Sequence, residues 1–206
     1  MTAVPLGPTV PEAIRPLPAF EYHAGKAVTL DPLSTQHVDD LWEAAQAADV
    51  SWAYLKYGPF PTKDDLAAHV RQISGLEQQP FFAVIPASSG KAEGWASFCD
   101  ISPADAAIEI GSIWLSPRLQ RTRAATEAIF LMMRHAFALG YHRVVWRCNA
   151  LNAASMRAAP RFGFTYEGTW RGGRHREGTP AGYGLVLDRG TRMAGTTRAV
   201  QGMAGR

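Results

Sequence analysis

The stretch Ile108–Met133 (IEIGSIWLSPRLQRTRAATEAIFLMM) holds residues whose types and spacing suit an anionic ligand. A strand-like run ends at Ser116-Pro117, and a helix is expected to begin shortly after it. Its first turn would be Gln120, Arg121, Thr122, Arg123, Ala124, Ala125 and Thr126. The start of a helix leaves backbone N–H groups unpaired, and the aligned peptide dipoles place partial positive charge there. The small residues Ala124, Ala125 and Thr126 let a ligand approach the backbone, and Arg118, Arg121 and Arg123 add mobile positive charge. This arrangement suits a pyrophosphate. Taken alone it is equally a basic, solvated helix start.

Glu109 lies on the strand-like run Ala107–Leu115 between Ile108 and Ile110. Alternation at period two puts Glu109, Gly111 and Ile113 on one face, against Ile108, Ile110 and Ser112 on the other. A carboxylate among apolar neighbours has its pKa raised, which suits it to take a proton at neutral pH. The competing reading is an edge-facing or salt-bridged surface glutamate. The aromatic residues Trp52, Tyr54, Tyr57 and Phe60 gather between the first two helical patterns. They could bind an apolar or cationic acceptor, or pack as core beneath a loop. Cys99 and Cys148 sit in apolar, strand-like runs and read as buried free thiols, without the histidine or asparagine arrangement of a nucleophile. The histidines at 23, 37, 69, 135, 142 and 175 show no metal-ligand spacing, so no metal is expected.

The elements that must position these residues alternate along the chain. Lys26–Leu30 reads as a first strand. Ser34 can cap a helix to about Ala48 with Val38, Leu41, Trp42 and Ala45 on one face. Val50–Tyr57 is a short helical or irregular aromatic piece. Thr62 with Asp65 is a capping signature for a helix to about Leu76. Strand-like runs follow at Pro80–Ile85, Gly94–Ile101 and Ala107–Leu115, the first two separated by a turn at residues 88–91. Ile129, Met132, Met133, Ala136 and Phe137 recur at helical spacing up to Gly140, a C-terminal cap. Arg143–Cys148 is a strand, Ala153–Phe162 a short helix, Phe164–Trp170 a strand and Tyr183–Leu187 the last strand. Together they predict an α/β sandwich around a mixed sheet.

The chain has 206 residues, enough for one domain with a sizeable core, and 47% hydrophobic and 19% charged residues. The organisation expected is a Pro-rich arm (residues 1–20, extended, disordered or draped over the domain), a domain over residues 21–189, and a basic flexible tail over 190–206. Net charge is +3, and beyond Asp188 there are arginines at 189, 192, 198 and 206 but no acid. Such a mild excess suits an anionic ligand and argues poorly for nucleic-acid binding. No apolar run is long enough to span a membrane, and no secretory signal is visible, so a reducing cytoplasm is the expected compartment.

Two segments carry a resemblance to the GCN5-related N-acetyltransferase (GNAT) superfamily, and more closely to its ribosomal-protein alanine/serine N-acetyltransferase branch. Gln120, Arg123 and Ala125 fill the first, fourth and sixth places of the signature Q/R-x-x-G-x-G/A, with Arg123 in place of a glycine. Asn152 and Ser155, followed by Arg161-Phe162-Gly163-Phe164 and Glu167-Gly168, resemble the branch's N-x-x-S…A-x-R-x-G-F-x-x-E-G run, with Pro160 as a departure that could distort the helix end. The resemblance implies a mostly antiparallel mixed sheet flanked by helices, with a splayed strand pair forming an acyl-CoA cleft. It implies acetyl-CoA as co-substrate, a primary amine as acceptor, and direct transfer without an acyl-enzyme. It further implies that Glu109 faces the acceptor as base, and that Ser155 lies near the thioester sulfur as acid, unless it merely serves the helix start. By the same resemblance Asn152 contacts pantetheine, and backbone N–H groups at Ile113, Trp114 and Leu115, splayed by a bulge, serve the oxyanion and pantetheine. Trp52, Tyr54 and Tyr57 would line the acceptor side. Tyr166 is a weaker donor candidate that reads as core. The alternatives are a longer acyl donor, an antibiotic or polyamine acceptor, or a non-catalytic acyl-CoA sensor. A monomer or homodimer is expected.

Overall fold

Three of the four α-helices among the described residues end two residues before a glycine with positive φ: Gly75, Gly140 and Gly163. The computed structural model describes residues 14–169 and 185–188. After a 3-10 turn at Thr35–His37, helix α1 (Val38–Ala45) buries Val38, Leu41 and Ala44. It stops short of the expected Ala48 because Gln46 is extended and Ala47 takes a positive φ of 56°. Helix α2 (Lys63–Ile73) opens on the predicted capping box, in which Thr62 Oγ1 accepts from the Asp65 N–H and the Asp65 carboxylate accepts from the Thr62 N–H. It buries Leu66, Val70 and Ile73, and ends before Gly75, whose φ is 76°. Between these helices the aromatic piece forms a 3-10 turn at Asp49–Trp52. Helix α3 (Arg123–Ala138) and helix α4 (Ala153–Arg161) complete the set. Pro160 falls in the last turn of α4, where the Phe162 N–H is shared between the Ala158 and Ala159 carbonyls.

The strands are β1 (His23–Ala24), β2 (Val28–Pro32), β3 (Phe81–Pro86), β4 (Gly94–Ser102), β5 (Ala107–Leu115), β6 (Arg143–Trp146), β7 (Thr165–Thr169) and β8 (Leu185–Asp188). The first predicted strand thus starts later and runs further, and a two-residue strand precedes it. They form one sheet in the order β1-β2-β3-β4-β5-β6-β8-β7. Neighbours are antiparallel except β5 and β6, which run parallel as a strand–helix–strand unit requires. This is the mixed, mostly antiparallel sheet flanked by helices that the resemblance implied.

Two cores cover the faces of the sheet. One packs α3 (Ala125, Ala128, Ile129, Met132) against Phe98, Ile108, Ile110 and Val144. The other packs α1 and α2 against Phe81, Ala83, Trp95 and Trp114, with Trp52 among them. The β1–β2 turn is fastened to α3 by Glu127, whose carboxylate accepts from the backbone N–H groups of Lys26 (3.0 Å) and Ala27 (2.5 Å). A Cβ on Gly25 would lie 2.7 Å from the Glu127 carboxyl carbon, so a larger residue there would push the carboxylate off these two N–H groups.

The end of the Pro-rich arm drapes over the domain. Arg15 is buried and donates to the carbonyls of Gly140 (2.8 Å) and Pro103 (3.1 Å), while Tyr141 donates to the Pro16 carbonyl (3.1 Å). Residues 15 and 16 are therefore packed on the domain although they precede the boundary expected at residue 20. Residues 1–13, His175 with its basic neighbours, and the tail 190–206 lie outside the described residues.

Candidate active site

Strand β5 carries one residue too many for its neighbour. Trp95 pairs with Trp114 and Ser97 with Gly111, so two steps on β4 face three on β5. The extra residue forms a bulge at Ser112, which takes a φ of 49°. The bulge corrects the expected alternation. Before it, Ile108 and Ile110 face the α3 core. After it, Ile113 packs on that same core and Trp114 on the opposite one, so Glu109 and Ile113 do not share a face. Polar contacts hold the bulge: Tyr57 donates to the Ser112 carbonyl (3.2 Å), and Gln79 donates to the hydroxyls of Ser112 (2.9 Å) and Ser97 (3.1 Å).

β5 pairs with β6 only over Ala107↔Arg143, Ile108↔Val144 and Glu109↔Val145. Beyond Glu109 the two strands separate. Their carboxyl ends lead into the starts of α3 and α4, so both helix starts stand at the same end of the sheet, where open α/β sheets take their ligands. Ile113, Trp114 and Leu115 lie on the separated part of β5. The side chain of Trp114 is buried and its backbone pairs with Trp95 on β4.

The start of α3 lies further along than expected. Gln120 and Arg121 belong to the turn before the helix, and Arg121 takes a φ of 64°. Thr122 is the cap, its hydroxyl accepting from the Ala125 N–H (3.1 Å). Gln120 donates its side-chain amide to the Leu115 carbonyl (3.0 Å), tying the turn to the end of β5. Among the described residues the N–H groups of Arg121, Arg123 and Ala124 have no hydrogen-bond partner. The side chains of Arg121 and Arg123 are exposed and unpaired among the described residues, whereas Arg118 is held by Glu93 (3.2 Å) and Glu43 (3.8 Å) and is not mobile. Ala124, Ala125 and Thr126 keep the first turn low. Unpaired N–H groups, two loose guanidiniums and small side chains fit an anionic pyrophosphate.

The start of α4 is built differently. Asn152 caps it, its side-chain oxygen accepting from the Ser155 N–H (3.1 Å), and its amide nitrogen has no partner among the described residues. Ser155 Oγ accepts from the Trp146 indole N–H (2.9 Å), so the hydroxyl hydrogen remains available to donate. Tyr166, expected in the core, is 56% exposed because it stands on the outermost strand.

Glu109 is 7% exposed, at the last paired position of β5. Burial pushes its carboxyl up to about 8, opposed by the Lys56 ammonium. The Arg147 guanidinium, in direct contact, opposes the rise further. Arg147 also meets Asp100, which stands at a second bulge, on β4, with a φ of 42°. The sequence reading missed Arg147 and Asp100 alike. Arg147 was placed inside a strand ending at Cys148, but β6 ends at Trp146. The signal was present in the alternation: Val144 and Trp146 are apolar and enter the α3 core, so Val145 and Arg147 must face the other way. Cys99 and Cys148 are half-buried, and burial pushes the Cys99 thiol up to about 12.

The aromatic residues divide by role. Trp52 is 1% exposed and stacked on Trp114, with ring centroids 4.2 Å apart, so it packs as core. Tyr57 accepts from the Trp95 indole N–H (3.2 Å) and reaches the Ser112 bulge. Tyr54, half-exposed, donates to the Leu151 carbonyl (2.9 Å) and joins the aromatic piece to the loop before α4. Among the described residues no cluster of side chains could hold a metal ion.

The Acetyltransferase (GNAT) domain family matches residues 27–165. The chain is 35% identical to a GCN5-related N-acetyltransferase from Brucella melitensis, with a TM-score of 0.87 over 91% of this chain and 87% of that one. At the level of the fold it is also similar to the Salmonella typhimurium acetyl transferase that modifies the N-terminal serine of the 50S ribosomal subunit protein L7/L12 (22% identity, TM-score 0.69, 82% of this chain and 97% of that one). A third similar structure is the microcin C7 self-immunity acetyltransferase MccE in complex with acetyl-CoA and AMP (21% identity, TM-score 0.70, 79% and 92%). No match was found among curated protein sequences. By the family match over most of its length and the 35% identity, the chain belongs to the GNAT family of acetyltransferases.

Proposed function

We propose that this protein moves an acetyl group from acetyl-CoA directly to a primary amine of a peptide or small molecule. The observation that carries the reading is the separation of β5 from β6 immediately beyond Glu109↔Val145, which sets a buried carboxylate at the vertex of a cleft flanked by two helix starts. The thioester supplies an activated acyl group. The N–H groups of Arg121, Arg123 and Ala124 hold the pyrophosphate, and the amide nitrogen of Asn152 donates to pantetheine. Backbone N–H groups at Ile113, Trp114 and Leu115 meet pantetheine and the developing oxyanion.

Glu109 takes a proton from the incoming ammonium, directly or through one water. The freed amine attacks the carbonyl carbon, a C–N bond forms, the C–S bond breaks, and the new amide nitrogen releases its remaining extra proton to solvent. The Ser155 hydroxyl gives its hydrogen to the leaving sulfur and regains one from solvent. A thiol raised to about 12 is a poor nucleophile, so Cys99 does not support an acyl-enzyme. Tyr54 and Tyr57 stand nearest the acceptor side, backed by Trp52.

A panel of amines, peptides and aminoglycosides, assayed by free-thiol release from acetyl-CoA, tests the reading. Amine-dependent release is expected, together with a rise in melting temperature that grows with CoA concentration. The absence of any shift at millimolar CoA would remove the claim. Tight CoA binding with no acceptor-dependent release across the panel would turn the protein into an acyl-CoA sensor.

A further inference from the structure

Arg147 lies two residues beyond Val145, the partner of Glu109 across the parallel pair. Its guanidinium crosses the widening gap to Glu109, with Nε and Nη2 both on Oε2, and Nη2 also meets Asp100. On its other flank the carboxyl group lies over Gly111. A Cβ there would sit 3.0 Å from Glu109 Oε1 and 2.7 Å from the Cys99 sulfur. Among the described residues, the charged or titratable groups facing the carboxyl are therefore Arg147 from the end of β6, Cys99 and Asp100 from β4, and Lys56 from the segment after the second 3-10 turn. Among the described residues only Arg147 hydrogen-bonds the carboxylate.

The geometry points to Arg147 as the positioning residue of this site: it fixes the Glu109 side chain over Gly111 and favours the ionised form of the carboxylate against the burial that disfavours it. An opposite charge in contact lowers a carboxyl by about 1–3 pH units, so the guanidinium acts against the rise that burial causes. Arginine suits the task because its planar fork meets Glu109 and Asp100 at once and never loses its charge. The catalytic consequence rests on the reading of Glu109 as base; the electrostatic role does not.

The test is the titration of Glu109 itself, in the full chain carrying glutamate labelled with carbon-13 at the side-chain carboxyl. The Glu109→Gln spectrum identifies its resonance. In Arg147→Met the midpoint should rise by about 1–3 pH units, and Arg147→Lys should bring it most of the way back. Arg147→Gln, which keeps a donor but no charge, is the second variant should the first fail to fold, and should show the same rise. With any amine that supports thiol release, the acid limb of kcat should move with the midpoint while KM for acetyl-CoA stays unchanged. A midpoint unmoved in both neutral variants overturns the proposal, as does a rise that lysine does not reverse. A midpoint that moves, with full turnover in Glu109→Gln, upholds the role of Arg147 and removes Glu109 as base.

Discussion

The two faces of β5 are made by alternate residues of one strand and do opposite work. Ile108 and Ile110 enter a dry core against α3, where any group of similar shape would serve. Glu109 and Gly111, one step away, form a site in which charge, reach and the lack of a side chain all matter. On the first face a substitution acts through packing and is felt by the whole domain. On the proposed reading of Glu109 as base, a substitution on the second acts through proton affinity and position and is felt by turnover. The separation is possible because a strand sends neighbours to opposite sides, so a buried carboxylate costs the core no apolar contact.

The sharpest way to break this contrast is Glu109→Gln. It should lower kcat by about 10²–10⁴-fold with CoA affinity near wild type, measured by thiol release and calorimetry. Unchanged turnover at saturating amine would mean that water or another group takes the proton. The wild-type pH profile belongs to the same test. A carboxyl raised toward 8 must lose its proton to act as base, so kcat should rise with pH through the neutral range, and this limb should vanish in Glu109→Gln.

Ile110→Ala is the counterpart on the dry face. It should cost about 2–5 kcal/mol of stability in denaturant unfolding, with turnover per folded molecule unchanged. A kcat loss comparable to that of Glu109→Gln would erase the division of labour. Gly111→Ala probes the boundary between the faces. Its Cβ would collide with Cys99 and displace the Glu109 carboxyl, so kcat should fall about 10²-fold with little change in melting temperature.

The smallest effects lie at the start of α4. Ser155→Ala should cost about 10–100-fold in kcat, since a thiolate leaves readily near neutral pH. Asn152→Ala should weaken CoA binding by about 1–2 kcal/mol without a matching loss in kcat. If neither variant alters either quantity, the roles given to this helix start are wrong.

Much of the fold was legible in local pattern. Thr62 with Asp65 announced α2, the spacing of Ile129, Met132, Met133 and Ala136 announced α3, and β5 was read to its exact ends. Each of these signals lies within a few residues of what it specifies. The bulge at Ser112 was not placeable, because the positive φ at this serine is held by Tyr57 and Gln79 and by the Trp52 that stacks on Trp114, none of which is a sequence neighbour. The same cause hid the meeting of Arg147 with Glu109, which depends on the register between two strands joined through a whole helix. Pro160 and Arg123 looked like departures from the family pattern, yet one falls in a final turn and the other still offers its N–H at a helix start.

Arg15 gives the chain a different kind of boundary from the one its prolines suggest. Its guanidinium occupies the Gly140 carbonyl just past the end of α3 and the Pro103 carbonyl before β5, and the Tyr141 hydroxyl reaches back to Pro16. The segment acts as a clasp between the exit of the long helix and the loop that feeds β5. A truncated chain starting at residue 21 would look tidy on paper but would uncover two carbonyls and a tyrosine hydroxyl together. A cut meant to leave the domain whole has to keep Arg15 and Pro16.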